Sequence, residues 1–454
     1  MNLKKVLEPD TIAVVGVSLS NPFNPATVIY NKNHLRTRAK TYCVNPQGGQ
    51  LYGKTVYRSI AAIPEKIDLA ILSIRAELVP ETIKACIRSG VSGAIIISGG
   101  FSETGRTDLQ EEIRALSVKN EFPVIGPNCL GVYSPPHIDS FFLPNERLVE
   151  PTEGTVALVS QSGGILVDQM IKLTQEGVGL SRAVSIGNKA VIDEVDMLQF
   201  FKRDRKTGVI GIYLEGFESE RGRAFVDEVN RSSKPVIVLK SGKTPGGSRA
   251  VSSHTASIAG DYFVFSEILK ESAAIEAKNE MEFVSCCEAF STLPRQKMRN
   301  ICIITSSGGH GAIASDGCYE AGLTIAEIPS PDRESLKKML SGSIQNIASL
   351  TNPIDMTGSA NDNDFVTATK FFLEKDYVDG IILLLLPYLP GLTSDIGARI
   401  AQFTREYKKA IITYIPHVVK YGIFIEGFES NGIPVAHSVE GAVSMASGLV
   451  RRQK

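Results

Sequence analysis

The sequence predicts an α/β protein built from three doubly wound parallel-sheet domains. The prediction rests on one pattern that occurs three times, in 11-TIAVVGVS-18, 155-TVALVSQSGG-164 and 300-NICIITSSGGHG-311. Each is a short β-branched run that stops at Ser and Gly and then passes into a helix-like segment. The starts lie about 145 residues apart, close to one α/β domain each. A chain of 454 residues is also too long for a single core. Strand, Gly/Ser turn and helix together open a doubly wound sheet, and ligands are then expected beyond the strand C-termini.

Further apolar runs fill each sheet in order. The first third offers 41-TYCVN-45, 68-DLAILSI-74, 93-GAIIIS-98 and 123-PVIG-126, with a helix at 78-LVPETIKACIRSG-90 closing on glycine. The second offers 208-GVIGIYLE-215 and 235-PVIVLK-240; the third offers 380-GIILLLLP-387 and 410-AIITYIP-416. Pro-rich 134-SPPHIDSFFLP-144 and polar 290-FSTLPRQKMRN-300 mark the joints, so domains are expected at 1–135, 150–292 and 298–454.

Composition narrows the function classes. A net charge of −1 gives no electrostatic case for nucleic acid or an anionic membrane surface. The N-terminal run is cut by Glu8 and Asp10 before it reaches signal-peptide length, and 380-GIILLLLPY-388 is too short to cross a bilayer. The seven cysteines have no CxxC pair or metal-ligand spacing and read as reduced structural thiols. A cytoplasmic location is expected.

The three glycine turns differ in chemical promise. The first, 14-VVGVSLSNP-22, has only Gly16, and the next strand ends in 44-VNP-46 where a dinucleotide site wants a ribose-binding acid. In the second, Ser160, Gln161, Ser162, Gly163 and Gly164 allow backbone N–H groups to converge on an anion at a helix N-terminus, with serine hydroxyls as added donors. A plain helix N-cap would use the same residues. The third, 305-TSSGGHG-311, has the same form and adds His310, which reads as a surface-loop histidine.

One of the six histidines is His254, within 248-SRAVSSHTAS-257 and after the Gly/Ser-rich 241-SGKTPGGSR-249, which reads as a flexible loop. In 211-GIYLEGF-217 a strand of the same domain ends at Glu215. A carboxylate bonded to one ring nitrogen fixes the tautomer and frees the other as nucleophile. An anion nest, a carboxylate and a nucleophilic histidine point together to phosphoryl transfer through phosphohistidine. A loop histidine satisfied by a neighbouring hydroxyl is the bland alternative.

These residues resemble the α subunit of NDP-forming acyl-CoA synthetases, the archaeal ADP-forming acetate–CoA ligase type related to succinyl-CoA synthetase. The motifs 98-SGGFSETG-105, 126-GPNCLG-131, 159-VSQSGG-164, 187-GNKAVIDEVDML-198, the SSHTAS block and 352-NPIDMTG-358 occur in family order over nearly the whole chain. The resemblance implies a Rossmann-like CoA-binding domain, with Gly16, Ser18, Leu19, Ser20, Asn21, Asn45, Ser73 and Ser98 as CoA contacts. It implies a flavodoxin-like domain carrying phosphohistidine at His254 with Glu215 as partner, and a second flavodoxin-like domain. Arg75 stands where the relatives tend to carry small residues or proline.

No ATP-grasp region can be placed in the chain. The resemblance therefore implies a separate ATP-grasp β subunit, most simply in an α2β2 heterotetramer, with ADP/ATP and Mg on that partner. The implied reaction converts acyl-CoA, ADP and phosphate to acid, ATP and CoA. The rival from another class is a non-catalytic CoA-sensing or scaffold module, and relatives of that kind tend to lack the histidine. A dinucleotide-dependent oxidoreductase is disfavoured by the first turn.

Overall fold

The computed structural model describes residues 1–218, 221–255, 262–293 and 298–451, with the backbone alone at 252–255 and 451. Its strands are runs that parallel pairing buries on both faces, so they read as continuous apolar stretches rather than alternating ones. Every residue of Leu69–Leu72, Gly93–Ile96, Val209–Leu214 and Gly380–Leu384 is buried.

The first sheet contains β1 (Thr11–Val15), β2 (Lys40–Val44), β3 (Gly49–Leu51), β4 (Lys54–Tyr57), β5 (Leu69–Leu72), β6 (Gly93–Ile96) and β7 (Val124–Ile125). Its order is β3-β4-β2-β1-β5-β6-β7, parallel except for the β3–β4 hairpin. Without β3 this is the Rossmann order, and the strand order reverses between β1 and β5.

The second sheet takes β8 (Gly131–Ser134), β9 (Ile138–Asp139), β10 (Glu153–Ser160), β11 (Leu180–Ser185), β12 (Val209–Leu214), β13 (Val236–Lys240) and β14 (Ile275–Ala277). Its order, β14-β13-β12-β10-β11-β8-β9, is the flavodoxin order with an antiparallel β8–β9 extension. The third sheet contains β15 (Asn300–Thr305), β16 (Thr324–Ile325), β17 (Ile354–Asp355), β18 (Gly380–Leu384), β19 (Ala410–Tyr414) and β20 (Val435–Ala436). It runs β16-β15-β18-β19-β20, again the flavodoxin order, with β17 also on β15.

The chain forms two compact units, Met1–Glu276 and Ala277–Lys454. Two loops join the first two sheets into one unit. Asn188 N–H donates to Pro127 O at 2.9 Å and Ala190 N–H to Gly126 O at 3.0 Å, so the turn after β7 and the turn after β11 lie back to back. Gly187 is obligatory there: its φ is +53°, and an added Cβ would stand 2.3 Å from Pro127 O.

Sequence reading missed β11, whose LSRAVS carries a cation in its middle. Arg182 is fully buried there and pairs with Glu8 at 2.6 Å and Asp204 at 3.1 Å, so neutralisation rather than hydrophobicity licenses the strand. All seven cysteines are free and buried, as expected of structural thiols. Among the described residues no helix is long and apolar enough to cross a membrane.

The Gly/Ser stretch before His254 differs from the loop expected. Residues Pro245–Thr255 form a helix. Proline pre-sets the helical φ at the first position, and the Thr244 hydroxyl accepts the Gly247 N–H at 3.1 Å. His254 lies in the last turn of that helix; its side chain falls outside the described residues, as do residues 256–261.

Candidate active site

At the switch point of the first sheet, Gly16 follows β1 with φ +103°, and a Cβ on it would meet Ser73 O at 2.2 Å. The turn therefore closes on the end of β5 only because residue 16 has no side chain. Ser18 then folds the next residues: its Oγ accepts the N–H of Asn21 at 3.0 Å and of Ser20 at 3.3 Å. Asn24 caps helix Pro25–Arg36 through Thr27 N–H. Leu19 is partly exposed and lies near Gly49.

Three other expected contacts reach the same sheet edge in different ways. The Asn45 amide donates to Val17 O at 2.8 Å and accepts Gln47 N–H at 2.9 Å. Ser98 Oγ accepts Ile74 N–H at 3.0 Å and donates to Ile74 O. Both side chains therefore brace the loops. Ser73 offers its backbone, with N–H donated to Val15 O at 3.1 Å. Gly16, Ser18, Asn45, Ser73 and Ser98 thus gather at the C-terminal edge of the first sheet, the position where an open α/β sheet binds ligands.

In the second sheet, β10 ends at buried Ser160 and helix Gly163–Gln175 begins three residues later. Ser160 Oγ accepts Ser162 N–H at 3.1 Å and donates to Ser162 O at 2.6 Å. Ser162 Oγ caps the helix through Ile165 N–H at 3.4 Å. The serine at 160 is thus no open donor; it shapes the turn. The N–H groups of Gly163 and Gly164 precede the first intrahelical bond, and among the described residues no acceptor faces them. A Cβ on Gly164 would enter open space. Two free N–H groups at a helix start, with the helix dipole behind them, are suited to hold an anion.

That helix start opens into a cavity of about 470 Å³. Asn128, Gln161 and Asn188 give it a polar side, and Leu130, Leu143 and Val167 an apolar one. Asn188 donates to Glu103 Oε2 at 2.5 Å, and Glu103 also accepts Phe101 N–H at 3.2 Å. Burial pushes the Glu103 carboxyl up, but these donors outweigh it and hold it below the usual carboxylate range. Burial raises the Cys129 thiol to about 12, so the sulfur at this wall is not a nucleophile.

Glu215 follows β12 and is buried, with Tyr213 donating its hydroxyl to Oε1 at 3.4 Å. The turn beyond it is held from two sides. Gln161 Oε1 accepts the N–H groups of Glu215 and Gly216, while its Nε2 donates to Gly216 O at 2.8 Å. Lys189 Nζ donates to the same carbonyl at 2.6 Å and pairs with Glu194 at 3.1 Å. Both partners are buried, and burial pushes the Glu194 carboxyl up against the pull of Lys189. At the end of β13, Lys240 Nζ donates to Glu215 O at 2.8 Å, and burial lowers its ammonium to about 8, with Glu215 opposing.

The third-sheet turn repeats the hydroxyl geometry but not the charge. Thr305 Oγ1 accepts Ser307 N–H at 3.0 Å and donates to Ser307 O at 3.1 Å, as Ser160 does in the second. Here Asp355 Oδ2 would stand 3.0 Å from a Cβ on Gly308, so a carboxylate occupies the mouth of the turn. His310 bonds Ser307 Oγ at 3.0 Å and stacks near Tyr414.

The structure joins Ser160–Gly164 and Glu215, which sequence reading grouped around His254, through Gln161, while the His254 side chain lies outside the described residues. Sequence reading assigned no role to Asn128, Asn188, Lys189, Glu194 or Lys240. The first four lie inside 126-GPNCLG-131 and 187-GNKAVIDEVDML-198, quoted only as motifs. A lysine five residues before a glutamate in a Gly-Asn turn was the available signal.

Comparison with known proteins gives three family matches along the chain. Residues 10–135 match the CoA binding domain model, 153–290 the succinyl-CoA ligase like flavodoxin domain and 301–404 the Ligase-CoA domain. The chain is 32% identical over 468 residues to the acetate–CoA ligase [ADP-forming] I subunit alpha of Pyrococcus furiosus, covering 100% of this chain and 98% of that one. It is 34% identical over 389 residues to acetate–CoA ligase [ADP-forming] I of Archaeoglobus fulgidus, covering 85% of this chain but only 55% of that longer relative. A solved acetyl-coenzyme A synthetase 1 of Ca. Korarchaeum cryptofilum, described as dinucleotide forming and in complex with phosphate and ADP, superposes with a TM-score of 0.90 at 31% identity, over 100% of this chain and 97% of that chain. Matching over its full length, the chain belongs to the family of ADP-forming acyl-CoA synthetase α subunits, relatives of the succinyl-CoA synthetase α subunit.

Proposed function

We propose that this chain is the α subunit of an ADP-forming acyl-CoA synthetase, catalysing acyl-CoA + ADP + phosphate ⇌ acid + ATP + CoA through a phosphohistidine at His254. The observation that carries the reading is the N–H pair of Gly163 and Gly164, unpartnered among the described residues, facing a cavity and tied through Gln161 to the turn of Glu215. The names of the relatives support it. CoA binds at the switch point beside Gly16 and Ser18, with Ser20, Asn21 and Ser73 backbone groups in reach and Asn45 and Ser98 bracing the cradle. The domain bounds in this reading are 1–135, 150–292 and 298–454.

Phosphate attacks the acyl thioester; the C–S bond breaks, a C–O bond forms, and CoA leaves as the thiol. His254 then attacks the acyl phosphate at phosphorus, forming N–P as P–O breaks and the acid departs. The Gly163 and Gly164 N–H groups hold the phosphoryl oxygens, and Glu215 orients the ring. Phosphohistidine passes the group to ADP on a separate ATP-grasp β subunit, which also supplies Mg, in a cytoplasmic α2β2 heterotetramer. The N–P bond remains a reactive donor, whereas a serine ester would not.

The test is to incubate the complex with labelled ATP and look for an acid-labile, base-stable phosphate on this subunit. Wild type carries the label and His254→Ala does not, while both retain CoA. Equal labelling of His254→Ala removes the histidine from the mechanism.

A further inference from the structure

We propose that Lys240 is a self-acylation site: its ε-amine takes the acyl group of an acyl-CoA thioester, and the chain lodges in the apolar cavity that the lysine lines. The inference rests on the acyl-CoA synthetase reading only for the supply of the thioester. The cavity measures ≈ 280 Å³ and lies between helices Arg221–Asn230 and Tyr262–Lys270. Among the described residues it shares no lining residue with the cavity at Gly163 and Gly164. Its body is aromatic: the Phe217 ring centre stands 5.1 Å from that of Phe225 and 5.8 Å from that of Phe265. Val264 and Ile268 on its wall are 52% and 47% exposed, so the cavity opens to solvent. Lys240 is the one charged side chain on that wall among the described residues. An apolar space with a single amine suits an acyl chain whose reactive carbon meets the nitrogen.

Lys240 ends β13 and is buried, with Nζ 5.8 Å from the centre of the Phe265 ring. Nζ donates to Glu215 O at 2.8 Å and to Ser241 O. A neutral amine has two N–H bonds, so these carbonyls use both and the lone pair is left as nucleophile. Burial lowers the ammonium to about 8; Glu215 opposes the shift, and Lys243 and Lys189 add to it, Lys189 being itself paired with Glu194. At pH 7 about one molecule in ten then carries the free amine, against roughly one in 3,000 for an ordinary lysine. The amine attacks the thioester carbonyl carbon: C–N forms, C–S breaks, and CoA leaves as the thiol with the amine's surplus proton. The resulting amide has one N–H and no charge, so the bridge between Glu215 O and Ser241 O is cut.

The test is to incubate the complex with acetyl-CoA or butyryl-CoA, without ADP or phosphate so that turnover consumes neither, and to quantify acylated lysines by peptide mass spectrometry. Exposed Lys119 is the reference. At pH 7, Lys240 should be acylated at least about tenfold faster than Lys119, with a rate that rises to pH ~9 and then levels off. Butyryl transfer should outpace acetyl transfer by at least about threefold at Lys240 and not at Lys119. A Cβ on Gly222 would meet the Phe217 ring at 3.4 Å, an ordinary contact, so Gly222→Leu fills the cavity and leaves Lys240 in place. It should slow acylation of Lys240 but not of Lys119, and a melting curve shows that it folds. The chain-length preference in wild type decides the matter without any variant. Acylation of Lys240 no faster than that of Lys119, or without chain-length preference, overturns the proposal. A complex that makes ATP from acyl-CoA, ADP and phosphate but leaves Lys240 unmodified removes only this inference, whereas acylation without any such turnover removes only the synthetase reading.

Discussion

Gln161 binds both backbone groups of Gly216: its Oε1 accepts the N–H at 3.1 Å and its Nε2 donates to the carbonyl at 2.8 Å. One side chain from the turn after β10 thereby fixes the turn after β12. The first turn carries the open N–H pair and the second carries Glu215, so their separation is set by a buried amide. Lys189 adds a third bond to the same peptide from the turn after β11. Three strand ends are thus joined at one residue.

Replacing Gln161 should show this directly. In Gln161→Leu the buried N–H groups of Glu215 and Gly216 lose their acceptor, at a cost of about 1–3 kcal/mol for each. The denaturation midpoint should drop, and labelling of the complex by ATP should fall while CoA affinity holds. A variant as stable as wild type, with unchanged labelling, would show that the amide does not hold the turn.

The Lys189–Glu194 pair makes a sharper case, because both ions are buried. Lys189→Met strands the carboxylate and should cost about 3–5 kcal/mol at neutral pH. The native Glu194 pKa already lies above its ordinary value of 4.5, and losing the cation raises it further. The native state then binds more protons than the unfolded chain, so stability is greatest below pH ~4.5 and is lost as pH rises through the native pKa. Melting curves from pH 4 to 8 should show the deficit of Lys189→Met growing with pH. The double variant Lys189→Met/Glu194→Leu should recover most of the loss and show no such slope.

The strand-to-turn units were legible because β1, β10 and β15 combine apolar runs with Ser/Gly stops, a signal carried by consecutive residues. The brace around Gly216 was not legible. Gln161, Lys189 and Gly216 come from three different strand ends, and only the flavodoxin order brings β10, β11 and β12 side by side. Short strands such as β16 and β20 hold two residues each, too few for any periodicity. The helix at Pro245–Thr255 was hidden by its own composition: two glycines and three serines suggest a loop, and the Thr244 cap and Pro245 override them.

Gly16→Ala should disable the first sheet's cradle. The added Cβ would stand 2.2 Å from Ser73 O with φ at +103°, so the turn must open. CoA affinity is expected to fall at least tenfold, which corresponds to a change of ~1.4 kcal/mol or more. Calorimetry on the whole chain measures it. Gly53→Ala is the control: its φ is +73° but its Cβ would touch nothing within 4 Å, so it shares the backbone strain without closing the cradle. Equal loss of CoA affinity in both variants would place the ligand elsewhere.

Lys240 gives the alkaline counterpart. Burial lowers its ammonium to about 8 from an ordinary 10.5, with the Glu215 carboxylate opposing the shift and Lys243 and Lys189 adding to it. Below pH 8 both folded and unfolded chains hold the proton, and the folded protein bears the full cost of the buried charge. Between about 8 and 10.5 the unfolded chain binds more protons, so this group's contribution to stability rises with pH across that window, by at most ~3 kcal/mol. Lys240→Met has no such group. It also leaves the Glu215 and Ser241 carbonyls without their donor, so it should be less stable than wild type at every pH. The gap between the two should widen from pH 8 to 10, which paired denaturation curves at matched ionic strength will measure. A gap that stays constant over that range would mean that the native lysine titrates at its ordinary value.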